Sequence, residues 1–90
     1  NIAKARIIVI QLWGQGFVVV CPHLNTGGLE SDIPIIQLLE GDCEIIKRCD
    51  ALLMTGNWRK SEGCLIEYKC SQESNIPVFF TVDELVRWAK

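Results

Sequence analysis

The sequence is poor in long apolar runs and in clustered positive charge, and each shortage excludes a class of protein. The apolar run at residues 7–10 is far shorter than the ~20 residues that a membrane-spanning helix needs. Nine Lys and Arg against eleven Asp and Glu give a net charge of −2, and the nearest approach to a basic stripe is Arg59 with Lys60. Because duplex nucleic acid is held by many Lys and Arg contacts to phosphate, we expect neither a duplex nor a membrane as partner.

The composition also excludes intrinsic disorder. Hydrophobic residues make up 49% of the 90-residue chain, and the mean hydropathy is +0.21. A chain of this length buries only ~60–65% of its unfolded surface, so its margin of stability is thin. We therefore expect one domain over residues 1–90.

Cysteine is plentiful, but its spacing matches no known metal or redox motif. The count is odd, and no two cysteines have the short spacing of a zinc knuckle or a redox motif. This pattern favours buried, reduced thiols in a cytoplasmic protein without metal or cofactor, and a disulfide framework is the alternative. The five residues are Cys21, Cys43, Cys49, Cys64 and Cys70.

Three short apolar runs alternate with helical patterns. They start near residues 17, 51 and 78, roughly thirty residues apart, which is the period of a βαβ unit. Helices are predicted from residue 2 to 13, from Pro34 to Leu39, again from Asp42 after a break at Gly41, from Ser61, and from Asp83. The pattern predicts an α/β fold with a parallel, doubly wound sheet.

Ligands of such sheets bind beyond the carboxyl ends of the strands. The segment that follows the first predicted strand carries His23, the single histidine of the chain, and Asn25. We expect both to face the ligand crevice, although a hydrogen-bonded loop histidine is the more common case.

Polar residues with fixed helical spacing follow the second predicted strand. Ser61 is placed as the N-cap of a helix, whose first amide groups favour an anion. Glu67 lies one turn beyond Gly63 and leans back over a position without a side chain, which leaves clearance for a ligand. The alternative is that Gly63 allows close packing on the sheet and that Glu67 is a solvated surface residue.

Asp42 and Trp58 each have a functional and a structural interpretation. Asp42 precedes a predicted helix and is most simply its N-cap. Trp58 lies in a predicted loop, where it would serve as a lid or stacking surface for a flat ring, or as a cover over the core.

Residues Trp58, Ser61, Gly63 and Glu67 form the pattern W-x-x-S-x-G-x-x-x-E. Together with the runs at residues 48–53 and 75–78, the chain resembles the small nucleoside 2-deoxyribosyltransferase-like proteins, in particular a bacterial and phage branch of that family. The resemblance spans nearly the whole chain.

The resemblance implies an N-glycosidic enzyme that acts on deoxynucleosides or their monophosphates, by base transfer or hydrolysis. Glu67 matches the nucleophile that attacks the anomeric carbon, and Asp42 matches an aspartate that contacts the base and serves in proton transfer. Ser61 matches a serine that helps to hold a 5′-phosphate. The family often completes its sites across a subunit interface, so a homo-oligomer is implied, with Trp88 and Trp58 as surface candidates.

One departure from the family concerns the start of the chain. The family's flavodoxin/Rossmann-like three-layer sandwich has a central first strand, and this sequence opens at the helix that would follow it. We therefore expect an N-terminally incomplete domain. Because a chain without that strand would have a damaged site, the alternative function is a non-catalytic module that binds a nucleotide or nucleotide-sugar.

Overall fold

The computed structural model describes residues 2–25 and 27–90, except for the side chains of Ile2 and His23. Its backbone falls into two compact units, Asn1–Ile35 and Ile36–Lys90. The described residues are mostly helical. Within them, no helix combines the length and the apolar content that crossing a bilayer requires.

The first unit contains one long helix. Helix α1 (Ile2–Gly14) is followed by helix α2 (Pro22–Asn25) and by a 3-10 helix, Leu29–Ser31. The chain turns after α1 at Gly16, whose φ of +93° is a left-handed conformation that glycine adopts without strain. The predicted first helix and its glycine stop are therefore confirmed.

The second unit has the helices and strands that carry most of the predicted site. They are α3 (Ile35–Lys47), β1 (Leu52–Leu53), the 3-10 helix Trp58–Lys60, α4 (Glu62–Glu73), β2 (Val78–Phe79) and α5 (Val82–Ala89). The buried apolar side chains of this unit include Ile46, Met54, Trp58 and Leu85. One core thus includes residues from α3, α5 and the segment that follows β1.

The sheet consists of one parallel pair. Leu52 lies opposite Val78 and Leu53 opposite Phe79. The Leu52 amide donates to the Pro77 carbonyl, and the Met54 amide donates to the Phe79 carbonyl, both at 2.9 Å. Two of the three predicted strands therefore pair as expected, but over only two residues each.

The prediction of a flavodoxin/Rossmann-like three-layer sandwich is wrong. Residues 17–21, the first predicted strand, form no strand, and Val18 is 83% exposed. An apolar, β-branched run becomes a buried strand only where neighbouring strands take up its amide and carbonyl groups. Among the described residues no strand pairs with this run, so the fold is helical with a two-stranded parallel sheet.

The predicted break at Gly41 is also wrong, because α3 runs without interruption from Ile35 to Lys47. A glycine inside a helix costs only ~1 kcal/mol relative to alanine, and burial of the apolar face of α3 outweighs that cost. Asp42 is therefore not an N-cap. It lies in the middle of α3 and is 7% exposed, on the same face as the buried Ile46 one turn later.

The predicted N-cap at Ser61 is confirmed, since its Oγ accepts a hydrogen bond of 3.3 Å from the amide of Cys64. We expect Ser61→Ala to lower the free energy of unfolding by about 1 kcal/mol, because the first turn of α4 loses this acceptor. Chemical denaturation followed by circular dichroism measures the change. Ser74→Ala at the other end of α4 is the control, expected within about 0.5 kcal/mol of the parent. Equal losses in both variants would contradict the capping role.

Candidate functional site

Helix α4 turns one face toward the interior of the second unit. Gly63, Glu67 and Ser71 follow one another at four-residue spacing, and Ser71 is completely buried. Ser71 is satisfied locally, because its hydroxyl donates to the carbonyl of Tyr68. Glu67 is thus a half-buried carboxyl on the inward face, and the interpretation of Glu67 as a solvated surface residue is wrong.

Glu67 and Asp42 form a pair of carboxyl groups contributed by two different helices. Burial, and to a smaller extent the nearby Asp42 carboxyl, together raise the pKa of Glu67 to about 7. Two effects act together, because low polarity disfavours the charged form and a second negative charge repels it. Near neutral pH, Glu67 therefore exists in both protonation states, and perturbed carboxyl groups of this kind are common at functional sites.

Gly63 is placed one turn before Glu67, as the spacing predicted. A Cβ at this position would lie 3.6 Å from Cδ2 of Leu39 and 3.8 Å from Oγ of Ser61, both ordinary van der Waals distances. Gly63 therefore approaches α3 and not the sheet, and packing alone does not require glycine here.

We expect Gly63→Ala to raise the free energy of unfolding by about 1 kcal/mol, because alanine is the better helix former and its methyl group fits. If Gly63 leaves clearance for a ligand, the same change weakens binding. Gly41→Ala in α3 is the matched control, since its Cβ meets nothing within 4 Å and it should give the same gain without a loss of binding. Denaturation and ligand titration of both variants measure the difference. A loss of stability in Gly63→Ala would contradict the packing described above.

Trp58 precedes Ser61 and is buried in an aromatic cluster. Its ring centroid lies 5.1 Å from that of Tyr68 and 5.5 Å from that of Phe80. The guanidinium of Arg59 lies 4.6 Å from the same ring centroid. These contacts, with only 9% of Trp58 exposed, favour the cover over the core. Trp88, by contrast, is about half exposed.

The two remaining predicted site residues belong to the first unit. The side chain of His23 lies outside the described residues, so its predicted place in a crevice stays a prediction. Asn25 ends helix α2, is exposed, and donates its backbone amide to the carbonyl of Cys21 at 2.9 Å. In the second unit, Asp42 lies near Glu67 and Ser61 lies near Gly63, whereas Trp58 belongs to the aromatic cluster.

The prediction of reduced thiols is wrong for two of the five cysteines. Cys43 and Cys70 form a disulfide with a Cα–Cα distance of 5.8 Å, which links α3 to α4. Cys21, Cys49 and Cys64 are free. Cys43 directly follows Asp42 and Cys70 comes three residues after Glu67, a helical spacing visible in the sequence. The pairing itself depends on contact between the helices, which no local pattern reveals.

A broad, open depression of about 610 Å³ in the second unit is lined mainly by α3 and by one residue of α4. Ile36, Leu39, Cys43, Lys47 and Ile66 are among its lining residues, and neither Asp42 nor Glu67 lines it. The carboxyl pair therefore lies outside this depression, whereas Cys43, the residue next to Asp42, lines it.

Comparison with known proteins assigns the chain to a family through a match to one family model. The model of a family described as a domain of unknown function (DUF4406) matches residues 7–80. No curated protein and no solved structure matches the chain. The matched range includes every residue of the candidate site described above.

Proposed function

We propose that this chain, which belongs to the DUF4406 family, is an enzyme. It would cleave the N-glycosidic bond of a deoxynucleoside or deoxynucleoside monophosphate, with transfer of the sugar to another base or to water. The observation that carries the proposal is the half-buried carboxyl of Glu67 beside the buried Asp42. Support also comes from the resemblance of the segment Trp58 to Glu67 to the nucleoside 2-deoxyribosyltransferase-like pattern.

The proposed reaction has two steps with one covalent intermediate. The Glu67 carboxylate attacks the anomeric carbon, the bond from that carbon to the base nitrogen breaks, and the base takes up a proton that Asp42 relays from solvent. Water or a second base then attacks the anomeric carbon of the glycosyl ester, the bond to Glu67 breaks and its carboxylate is restored, and the attacking group gives up a proton through Asp42. The pair thus divides nucleophilic attack and proton transfer between two helices.

Ser61 is proposed to contact a 5′-phosphate at the amino end of α4. Its Oγ accepts from the Cys64 amide, which leaves its own hydrogen free to donate to a phosphate oxygen. The basic side chains of Arg59 and Lys60 directly precede it and are exposed. A positive helix end with adjacent basic residues favours a phosphorylated substrate over a free nucleoside.

The protonation of Glu67 sets the sign of the expected pH dependence. A nucleophilic carboxylate must be ionised, so kcat/KM is expected to rise as the pH passes through about 7, where the pKa of Glu67 lies. If Glu67 served as a general acid, the rate would fall over the same interval. A profile from pH 5 to 9 separates the two roles.

The experiment is an assay for free base with the four deoxynucleosides and their 5′-monophosphates. The wild-type chain is compared with Glu67→Ala and with Glu62→Gln, which alters an exposed carboxyl on the same helix. We expect base release by the wild type and by Glu62→Gln only. Equal release by the wild type and Glu67→Ala would refute the enzymatic proposal.

The second candidate is a module that binds a nucleotide or nucleotide-sugar without altering it. It is favoured by the absence of Asp42 and Glu67 from the lining of the 610 Å³ depression, since a catalytic pair is normally reached through a pocket. Calorimetric titration followed by recovery of the ligand tests it. A ligand that binds tightly and is recovered intact supports this candidate.

We also propose that the protein acts in the cytoplasm, where free nucleotides are available, and as a homo-oligomer. The half-exposed Trp88 and the other exposed apolar side chains are compatible with contacts between copies. Sedimentation analysis measures the oligomeric state.

A further inference from the structure

We propose that the Cys43–Cys70 disulfide positions the Asp42–Glu67 pair and that its reduction by a dithiol switches the site off. This inference rests on the proposed function for the role of the two carboxyl groups. The position of the disulfide relative to Asp42 and Glu67 does not depend on any activity.

The disulfide lies next to both carboxyl-bearing positions. Cys43 adjoins Asp42 in α3, and Cys70 lies on the turn of α4 that follows Glu67. With 5.8 Å between the two Cα atoms, the bond sets the separation of the helices close to the pair. Each carboxyl is thus about one turn or less from a covalent link to the other helix.

In the described part of the chain, the backbone contact between α3 and α4 is narrow, and the two helices approach closely over a short stretch only. One noncovalent contact between them lies at Leu39, near the position of Gly63. By contrast, α4 is held to the segment before it by the tilted ring contact between Trp58 and Tyr68. Loss of the disulfide therefore loosens α4 against α3 while its aromatic contacts remain.

A reductant can reach the bond. Both cysteines are half-buried, and Cys43 lines the open depression along α3. One thiolate of the dithiol attacks a sulfur of the bond and forms a mixed disulfide; its second thiol then closes a disulfide within the reductant. The reductant loses two electrons, and Cys43 and Cys70 leave as two thiolates that take up protons. Disulfides that occur in a reducing cytoplasm are usually transient and redox-sensing, so the cytoplasmic site is expected to be active only while the bond is oxidised.

Separation of the helices has a measurable electrostatic consequence at Glu67. Asp42 is the charged group of α3 that acts on it, and burial is the larger cause of its raised pKa. The charged residues of the 3-10 helix before α4 are Arg59, stacked over Trp58, and the exposed Lys60. When α3 and α4 part, both the burial of Glu67 and the repulsion from Asp42 decrease, so its pKa falls toward its ordinary value.

The test is an NMR titration of the Glu67 side-chain carboxyl carbon, assigned with Glu67→Gln. It is carried out on the whole chain, oxidised and after treatment with dithiothreitol, and on Cys43→Ser/Cys70→Ser and Cys43→Ala/Cys70→Val. We expect a midpoint of about 7 in the oxidised chain and a midpoint shifted toward 4.5 in the other three. Cys49→Ser is the control, since serine can keep the hydrogen bond to the Ile45 carbonyl and the disulfide stays intact; its midpoint should match the oxidised chain.

Base release at pH 8 is measured on the same samples. We expect kcat/KM to fall on the order of 10²-fold on reduction and to recover on reoxidation, as for a modest misplacement of reacting groups. Equal midpoints in a folded, reduced chain would overturn the proposal, and so would unfolding of all three bond-free forms, because the bond would then support the fold alone. If the midpoint shifts but no substrate is turned over, the positioning role stands and the proposed enzymatic function fails.

Discussion

Replacing Glu67 with glutamine is expected to stabilise the protein at pH 8 and to abolish base release. Burial and the Asp42 carboxyl raise the pKa of Glu67 from 4.5 to about 7, so the folded state holds this proton more tightly than the unfolded state does. The stability that comes from the protonated form is complete below pH 4.5 and is lost as the pH rises through 7. Glutamine keeps the size and the polarity of the protonated carboxyl and does not ionise.

The expected gain at pH 8 is about 1–2 kcal/mol, because solvent contact of the half-buried carboxyl screens part of the effect. Base release should fall on the order of 10⁴-fold or more, since the nucleophile is removed. Urea denaturation at pH 4.5 and pH 8 measures the first effect, and the base-release assay measures the second. The gain should vanish at pH 4.5, where wild-type Glu67 is protonated.

Glu62→Gln is the matched control on the same helix. Glu62 is exposed in the first turn of α4, so its neutralisation removes a small favourable interaction with the helix end, less than about 1 kcal/mol. At pH 8 the free energy of unfolding is therefore expected to rise in Glu67→Gln and to fall slightly in Glu62→Gln. A loss of stability in Glu67→Gln at pH 8 would show that the Glu67 carboxylate has a favourable partner in the folded chain.

Removing the Cys43–Cys70 disulfide is expected to lower the free energy of unfolding by about 3.5 kcal/mol. The bond closes a loop with a sequence separation of 27, and a chain freed from that constraint gains entropy mainly in its unfolded state. For a 90-residue chain, whose total stability is about 5–13 kcal/mol, this is a large fraction. The folded state should nevertheless remain populated.

Denaturation of Cys43→Ser/Cys70→Ser, with and without a dithiol, measures this loss. The dithiol should lower the stability of the wild-type chain to that of the double variant and should leave the variant unchanged. Cys64→Ser is the control, because Cys64 is free in the same helix. A dithiol effect of similar size in the double variant would mean that the stabilisation does not come from this bond.

The part of the candidate site that the sequence predicted is the part that local rules determine. A serine before a helix, followed at fixed spacing by Gly63 and Glu67, places those residues on α4 by helical geometry alone, and the Ser61 cap is present as expected. The pairing of the second and third predicted strands also followed from their period. Local hydrogen bonding and periodicity suffice for such features.

The rest depends on tertiary contacts, which local patterns do not report. The sequence predicts a helix break at Gly41, but burial of one face of α3 outweighs the cost of this glycine. Asp42 therefore lies buried in the middle of α3 and not at a helix end. The β-branched run at residues 17–21 has high strand propensity, yet propensity produces a strand only where a partner strand is present. The link between Cys43 and Cys70 required knowledge of which helices touch.

The aromatic cluster around Trp58 provides the molecule with an internal optical reporter. Of the three tryptophans, Trp58 is buried against Tyr68 and Phe80, whereas Trp13 and Trp88 are about half exposed. Two populations of indole emission therefore exist, of which only the exposed one is readily reached by a collisional quencher. A shift in the emission of the buried Trp58 would report a change on the side of α4 that bears Tyr68. Movements of this helix can therefore be followed in the unlabelled chain.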